Sequence, residues 1–257
     1  LLEDLALQLG LIQRSESPAL HSPQMVVFAG DHGIAAEGVS AYPQAVTVQM
    51  VGNMLAGGAA INVFARQHGF ALQVVDAGVA AELPAHPGLL PRKIALGTKN
   101  LCNEPAMSRL EAQAALTAGM EVMKALPGNI VAFGEMGIAN TSPAALLLAR
   151  LTGASIEDAT GRGTGLDDAQ LRHKLDVLTR ALARHPATEP LDAVGELAAL
   201  DGPAMLIVTA GTLQVSADGD LLTLERGDSA FHAAGSTLAV RAVGGPANAY
   251  LPTVGRV

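Results

Sequence analysis

The strongest constraint on the fold is a pattern that recurs between Met25 and Asn140: a short apolar run, then glycine and a carboxylate, then a small-residue turn leading into helical periodicity. Met25-Val-Val-Phe-Ala29 leads into Gly30-Asp31-His32-Gly33, and Leu72-Gln-Val-Val75 leads into Asp76-Ala77-Gly78. Ile130-Val-Ala-Phe133 leads into Gly134-Glu135-Met136-Gly137 in the same way. Short β-rich runs without clean alternation suit strands buried on both faces, as in a parallel sheet covered by helices. Helices are expected between them. Thr47–Gln67 carries apolar and small residues around Gly57-Gly58, and Ser108 with Glu111 forms a capping-box signature ahead of Leu110, Leu116 and Met120. Thr141 reads as an N-cap, with Pro143 in the first turn, where its missing N–H matters little. Asp167 or Asp168 caps a helix whose Leu171, Leu175, Leu178 and Leu182 form one stripe. The expectation is an α/β fold, a doubly wound, mostly parallel sheet with flanking helices.

After about Glu196 the texture changes to short strand-like runs, Ala204–Val208, Thr212–Ser216, Leu221–Glu225 and Thr237–Val243, divided by glycine turns. Asp218-Gly219 suits a two-residue hairpin turn, and the spacing points to a small antiparallel all-β unit. The expected division is 1–198 and 202–257, with the boundary near Ala198–Asp201 and Leu206, Val208, Leu222, Leu224 and Val240 supplying the tail's buried face.

Composition narrows the function classes. The 257 residues hold 16 Lys+Arg against 24 Asp+Glu, a formal charge of −8, which disfavours a nucleic-acid partner. Only 16% of residues are charged and 49% are hydrophobic, so the chain can bury a large core. No apolar run approaches the roughly 18 residues of a membrane span, since Ala144–Ala149 stops at Arg150. The lone Cys102 fits a reducing cytoplasm. The start at Leu1, without Met or a basic leader, reads as a fragment.

In an open parallel sheet, ligands bind beyond the carboxyl ends of the strands, so Asp31, Asp76 and Glu135 are expected on one rim. Taken singly, each such acidic residue is as readily a helix cap or turn-former as a site residue, and three in register tip the balance towards a site. Gly161-Arg-Gly-Thr-Gly165 precedes the next helix, and its backbone N–H groups can attract phosphate. It fits neither the dinucleotide nor the Walker spacing, and by itself it is more often an ordinary turn. Lys174 lies in the following helix and can reach back to that loop, although the ordinary reading is a solvated helix-face lysine. The seven histidines include no pair at metal-ligand spacing, so no metal is expected.

Taken together, Phe28-Ala-Gly-Asp-His-Gly-Ile34, Glu37-Gly-Val-Ser-Ala-Tyr-Pro43, Gly57-Gly-Ala-Ala-Ile-Asn62, Val75-Asp-Ala-Gly-Val79, Phe133–Thr141 and Gly161–Gly165 resemble nicotinate-nucleotide:dimethylbenzimidazole phosphoribosyltransferase. The resemblance covers about residues 1–198. It implies transfer of phosphoribose from nicotinate mononucleotide to 5,6-dimethylbenzimidazole, giving α-ribazole phosphate and nicotinate, in cobalamin nucleotide-loop assembly. It also implies no cofactor, small-molecule substrates and a homodimer. Carried over by residue, Ser40, Tyr42 and Gln49 are similar to the benzimidazole end of the family's pocket. Glu135 and Gly137 match the nucleotide end, Gly163 and Thr164 the phosphate loop, and Lys174 the lysine that reaches the phosphate.

The family's general base is a glutamate in a C-terminal Gly-Glu-Gly segment, preceded by Leu-Asp-Gly-Phe; neither has a counterpart in this sequence. The similarity fades at Val194–Ala199. Gly202–Val208, Gly211-Thr-Leu213, Leu222–Phe231 and Ala249-Tyr250 instead resemble the C-terminal cupin-type β-domain of type I mannose-6-phosphate isomerase, without that family's metal ligands. Three readings follow: a transferase impaired by the missing base, with no residue matched to it, Glu135 a candidate catalytic carboxylate and Glu225 the only nearby downstream one, at the end of a strand-like run; a module that binds nucleotide or benzimidazole without turnover; or a fusion whose β-tail is structural.

Overall fold

A computed structural model describes residues 2–187, 193–200, 207–217, 220–224 and 239–250. Its centre is a parallel four-stranded sheet of β1 (Gln24–Gly30), β2 (Ala71–Gly78), β3 (Leu89–Pro91) and β4 (Val131–Met136), in the order β3-β2-β1-β4. Alternation along β1 sends side chains to both faces. Val27 and Ala29 pack with Val74 against Val51 and Met54 of α2 (Ala45–Leu55). Val26 and Phe28 pack with Val75 and Phe133 against Val122 of α4 (Arg109–Ala125). Both sheet faces are therefore covered by helices, as expected for strands that read as continuously apolar. Gly134 of β4 pairs with Val27 of β1, and a Cβ there would lie a tight 3.1 Å from Val27 Cγ2, so a larger residue would require the valine to shift.

The single apolar segment expected over Thr47–Gln67 is two helices, α2 and α3 (Ala60–Gln67), separated at Gly57-Gly58. Gly57 takes φ +81°, a conformation that ends a helix without strain in glycine alone. Thr47, Val51, Met54, Asn62 and Ala65 of this apolar stretch are buried against the protein itself. A second core joins Ile34 of a short 3-10 turn (Gly33–Glu37) to Leu146 and Leu147 of α5 (Thr141–Thr152), Val177, Leu178 and Ala181 of α7 (Asp168–Arg184), and Leu200 of α8 (Ala193–Leu200). Between α5 and α7 lies the one-turn helix α6 (Ile156–Ala159). The amino-terminal helix, α1 (Leu2–Gln13), buries none of its side chains.

The expected caps are present at Ser108, which accepts from Glu111 N while Glu111 reaches back to Ser108 N, and at Asp167, which does the same with Gln170. Hydrogen bonding to the Ser108 backbone holds the Glu111 carboxyl below its ordinary value. The cap of α5 is Asn140, not Thr141, and Asn140 makes no side-chain cap bond. Thr141 stands one residue inside, where its hydroxyl is free for another partner. On α7 the buried face is Lys174, Val177, Leu178 and Ala181 rather than the full leucine stripe.

In the tail, β5 (Ile207–Ala217), β6 (Asp220–Leu224) and β7 (Ala239–Tyr250) form an antiparallel sheet in the order β6-β5-β7, and β7 runs beside α5. The Asp218-Gly219 turn and the side chains proposed for the tail's buried face lie outside the described residues.

Candidate functional site

Strand order fixes where a site can form. From β1 the chain adds β2 and then β3 on one side, and returns to place β4 on the other, so the order reverses between β1 and β4. Beyond the carboxyl ends of strands at such a reversal, the diverging loops leave a crevice. The three acidic turns all lie on this rim, but they do different work.

Asp76 ends β2 away from the reversal and is tied down. Its Oδ1 accepts from Val79 N at 3.0 Å, and its Oδ2 is 3.0 Å from Lys93 Nζ. Lys93 also donates to the carbonyls of Val79 (2.5 Å) and Ala81 (3.0 Å), so this pair staples the 79–81 turn. Asp31 follows β1 and is buried, with Oδ2 accepting from Ala80 N at 2.8 Å and Oδ1 without a hydrogen-bond partner among the described residues.

Glu135 lies at the reversal itself, partly buried near the end of β4. Asn140 Nδ2 donates to its Oε2, and the buried His32 places Nε2 3.8 Å from its Oε1. Gly137 closes this arrangement. A Cβ there would strike the Gly30 carbonyl and come within 2.8 Å of Glu135 Oε1 and 2.9 Å of His32 Nε2. The chain turns tightly here, with Ala139 at φ +75°, and Ile138 N is held by Thr47 Oγ1 of α2 at 3.1 Å.

The second half of the site is built on α7. Lys174 has no exposed surface, and its Nζ donates to Thr141 Oγ1 at 2.7 Å and to the Gly161 carbonyl at 3.2 Å. Among the described residues no carboxylate pairs with it. Burial drives its pKa down from 10.5 to about 8, because an ammonium without a counter-charge is poorly solvated. The solvated helix-face lysine of the ordinary reading is thus corrected: the side chain points inward from α7 under the glycine loop. Gly163 covers it at φ +54°, and a Cβ there would lie 3.1 Å from Thr141 Oγ1 and 3.7 Å from Lys174 Nζ. Arg162 is engaged elsewhere, with Leu166 O at 3.0 Å and Asp168 Oδ1 at 2.5 Å, and it lowers the Asp168 pKa.

Two of the remaining sequence candidates meet across the site: Ser40 Oγ and Thr164 Oγ1 are 3.4 Å apart. Tyr42 is exposed, with its backbone N–H directed at Ser40 Oγ (3.4 Å), and Gln49 is exposed on α2. Residue-level reading missed four contributors: Thr141 as the lysine's acceptor, Asn140 and His32 beside Glu135, and Lys93 as the partner of Asp76. The first three stand inside the quoted motifs, Phe133–Thr141 and Phe28–Ile34, and that placement was their signal.

Comparison with known proteins gives a consistent picture. A family profile described as phosphoribosyltransferase matches residues 1–224. The nicotinate-nucleotide–dimethylbenzimidazole phosphoribosyltransferase of Cupriavidus taiwanensis is 56% identical over 231 residues, covering 86% of this chain and 66% of that protein. The protein of the same name from Cupriavidus necator is 55% identical, with the same coverage. The crystal structure of CobT from Thermus thermophilus superposes with a TM-score of 0.72 at 47% identity, over 78% of this chain and 61% of that one. The chain therefore spans slightly less than two thirds of the length of these relatives. The family match runs past residues 198–202, where the sequence similarity was expected to end, and takes in residues 202–224.

Proposed function

We propose, from the premise that this chain belongs to the phosphoribosyltransferase family, that residues 1–198 bind nicotinate mononucleotide and 5,6-dimethylbenzimidazole for transfer of phosphoribose between them. The observation that carries this reading is Lys174: a wholly buried ammonium, held by a hydroxyl and a carbonyl and lacking a counter-anion among the described residues. Such a group asks for an anion, and the glycine loop above it is where a phosphate gains both the ammonium and backbone N–H groups. Glu135, at the strand-order reversal, belongs to the nucleotide end, and Ser40 and Tyr42 to the benzimidazole end.

The chemistry suits this equipment. The bond to be broken already carries a cationic pyridinium leaving group, so departure of nicotinate asks little beyond positioning. What remains is to hold the acceptor nitrogen behind C1′, anchor the phosphate, and take the benzimidazole N–H proton. The proton acceptor implied by the family resemblance has no counterpart in residues 1–257, and Glu135 is the rim carboxylate left for that role. Turnover of this chain is accordingly expected to be about 10²–10⁴ below that of a relative with the base in place. The reading keeps the division at 198–202 and the homodimer as part of the proposal.

Calorimetric titration with nicotinate mononucleotide tests it. Lys174→Met removes a charge-assisted hydrogen bond of about 1.5–3 kcal/mol and should weaken binding roughly 10- to 100-fold. Gly163→Val, strained at positive φ and crowding the lysine, should abolish binding with the fold retained. Equal affinity in all three proteins overturns the reading.

A further inference from the structure

Resting on that functional reading, we propose that His173, with Thr164, mechanically couples the two substrate ends, so that filling the phosphate loop tightens binding of the aromatic acceptor. The acceptor segment leaves the 3-10 turn at Glu37 and reverses at Gly38, which takes φ +72°. Three side chains from the phosphate half reach across to it. His173 Nε2 donates to the Glu37 carbonyl at 2.7 Å, and Arg180, two turns further along α7, lies 3.5 Å from Glu37 Oε2. Thr164 meets Ser40 at 3.4 Å.

His173 is the neighbour of Lys174 on α7. One residue therefore holds the phosphate position from inside the helix, while the next holds the acceptor segment from outside it. Asn100 completes the anchor by donating to Glu37 Oε1 at 2.7 Å, and Val39 is buried in the second core, so within Gly38–Tyr42 it is the partly to fully exposed stretch from Ser40 to Tyr42 that meets the loop, through Ser40 and Thr164. The loop itself is exposed from Gly161 to Gly165 and holds three glycines, two of them at positive φ, so it has much freedom to lose. A phosphate that orders this loop fixes Thr164 in front of Ser40. The acceptor then binds to a segment already ordered, and its affinity rises without any direct contact between the ligands. His173 is a positioning residue in this scheme and touches neither ligand.

Ribose 5-phosphate supplies the phosphate without a leaving group, so equilibrium binding of 5,6-dimethylbenzimidazole can be measured by calorimetry with and without it. In the unaltered chain, saturating ribose 5-phosphate should lower the acceptor's Kd about fivefold, and the acceptor should tighten ribose 5-phosphate by the same factor. In His173→Ala and in Thr164→Val that factor should fall towards one, and His173→Gln, which keeps a donor, should restore part of it. A residue of purely structural importance would instead lower acceptor affinity equally in both conditions. The coupling is overturned if both ligands bind and the factor is absent in the unaltered chain, or if it survives in both variants. Failure of ribose 5-phosphate to bind at all overturns the functional reading and the coupling with it.

Discussion

Lys93 and Lys174 are both lysines drawn into the protein beside a rim loop, yet their surroundings are opposite. Lys93 keeps part of its side chain in solvent and meets the Asp76 carboxylate and two backbone carbonyls. Every charge there has an answer within the chain, and the product is a fixed turn. Lys174 is more deeply buried and, among the described residues, has only a hydroxyl and a carbonyl. Desolvation of an ammonium is offset only by a nearby anion or a full set of acceptors. Around Lys93 the chain supplies them. Around Lys174 the described residues do not, and on the proposed function a ligand's anion would complete the environment.

The largest effect should come from breaking the completed pair. Lys93→Met strands the Asp76 carboxylate, which is almost fully buried, with Val79 N as its remaining donor. Loss of one partner of a buried pair costs about 3–5 kcal/mol, so denaturant unfolding should show a loss of that size. Lys174→Met should move stability the other way. Methionine fills a similar volume without the charge, and a pKa held at about 8 instead of 10.5 corresponds to a penalty on the order of 3 kcal/mol at neutral pH. Part of this is returned by the two lost hydrogen bonds, so a gain of about 1–3 kcal/mol is expected. If Lys93→Met is harmless, or Lys174→Met destabilises by a comparable amount, the contrast between a structural and a ligand-binding lysine fails.

The same contrast marks how far the sequence could be read. The parallel sheet was legible because three strands repeat the same transition from an apolar run to a carboxylate turn. The caps at Ser108 and Asp167 were legible because a capping box is local, four residues from N-cap to N3. The rim was legible as a place but not as a division of labour. Nothing near Asp76 in sequence announces Lys93, since the pairing is made by a turn of 17 residues that only the folded chain closes. The place of Lys174 on the helix after the glycine loop was legible, but its burial was not. The leucine stripe on its helix placed the apolar face nearby, and a charged side chain enters that face only when the opposite wall offers polar atoms, here Thr141 and Gly161. The break between α2 and α3 falls at the one local signal the segment carries, the glycine pair, while its average apolarity says nothing about where a helix ends.

A smaller effect, in the alkaline range, sharpens the comparison further. A base whose pKa is lower in the folded chain than in the unfolded one binds fewer protons when folded, so stability rises with pH between the two values. For Lys174 the window runs from about 8, its folded value, to 10.5, and below it the full penalty is present. Other groups titrate there too: the Cys102 thiol is pushed up by burial and by Glu37, which makes stability fall with rising pH over the same range. The useful quantity is therefore the difference between the unaltered chain and Lys174→Met, in which the shared groups cancel. The methionine variant's advantage should be constant below about pH 8 and fall by about 3 kcal/mol by pH 10.5, to nothing or to a small disadvantage set by the lost hydrogen bonds. Saturating ribose 5-phosphate should flatten this dependence, since a phosphate beside the ammonium favours the charged form and carries the folded value back up. Thermal unfolding of both proteins across about pH 7–10.5, with and without the sugar phosphate, measures all of this. An advantage that does not change with pH would mean that the buried amine is not charged at neutral pH, and the phosphate would then lose its electrostatic anchor.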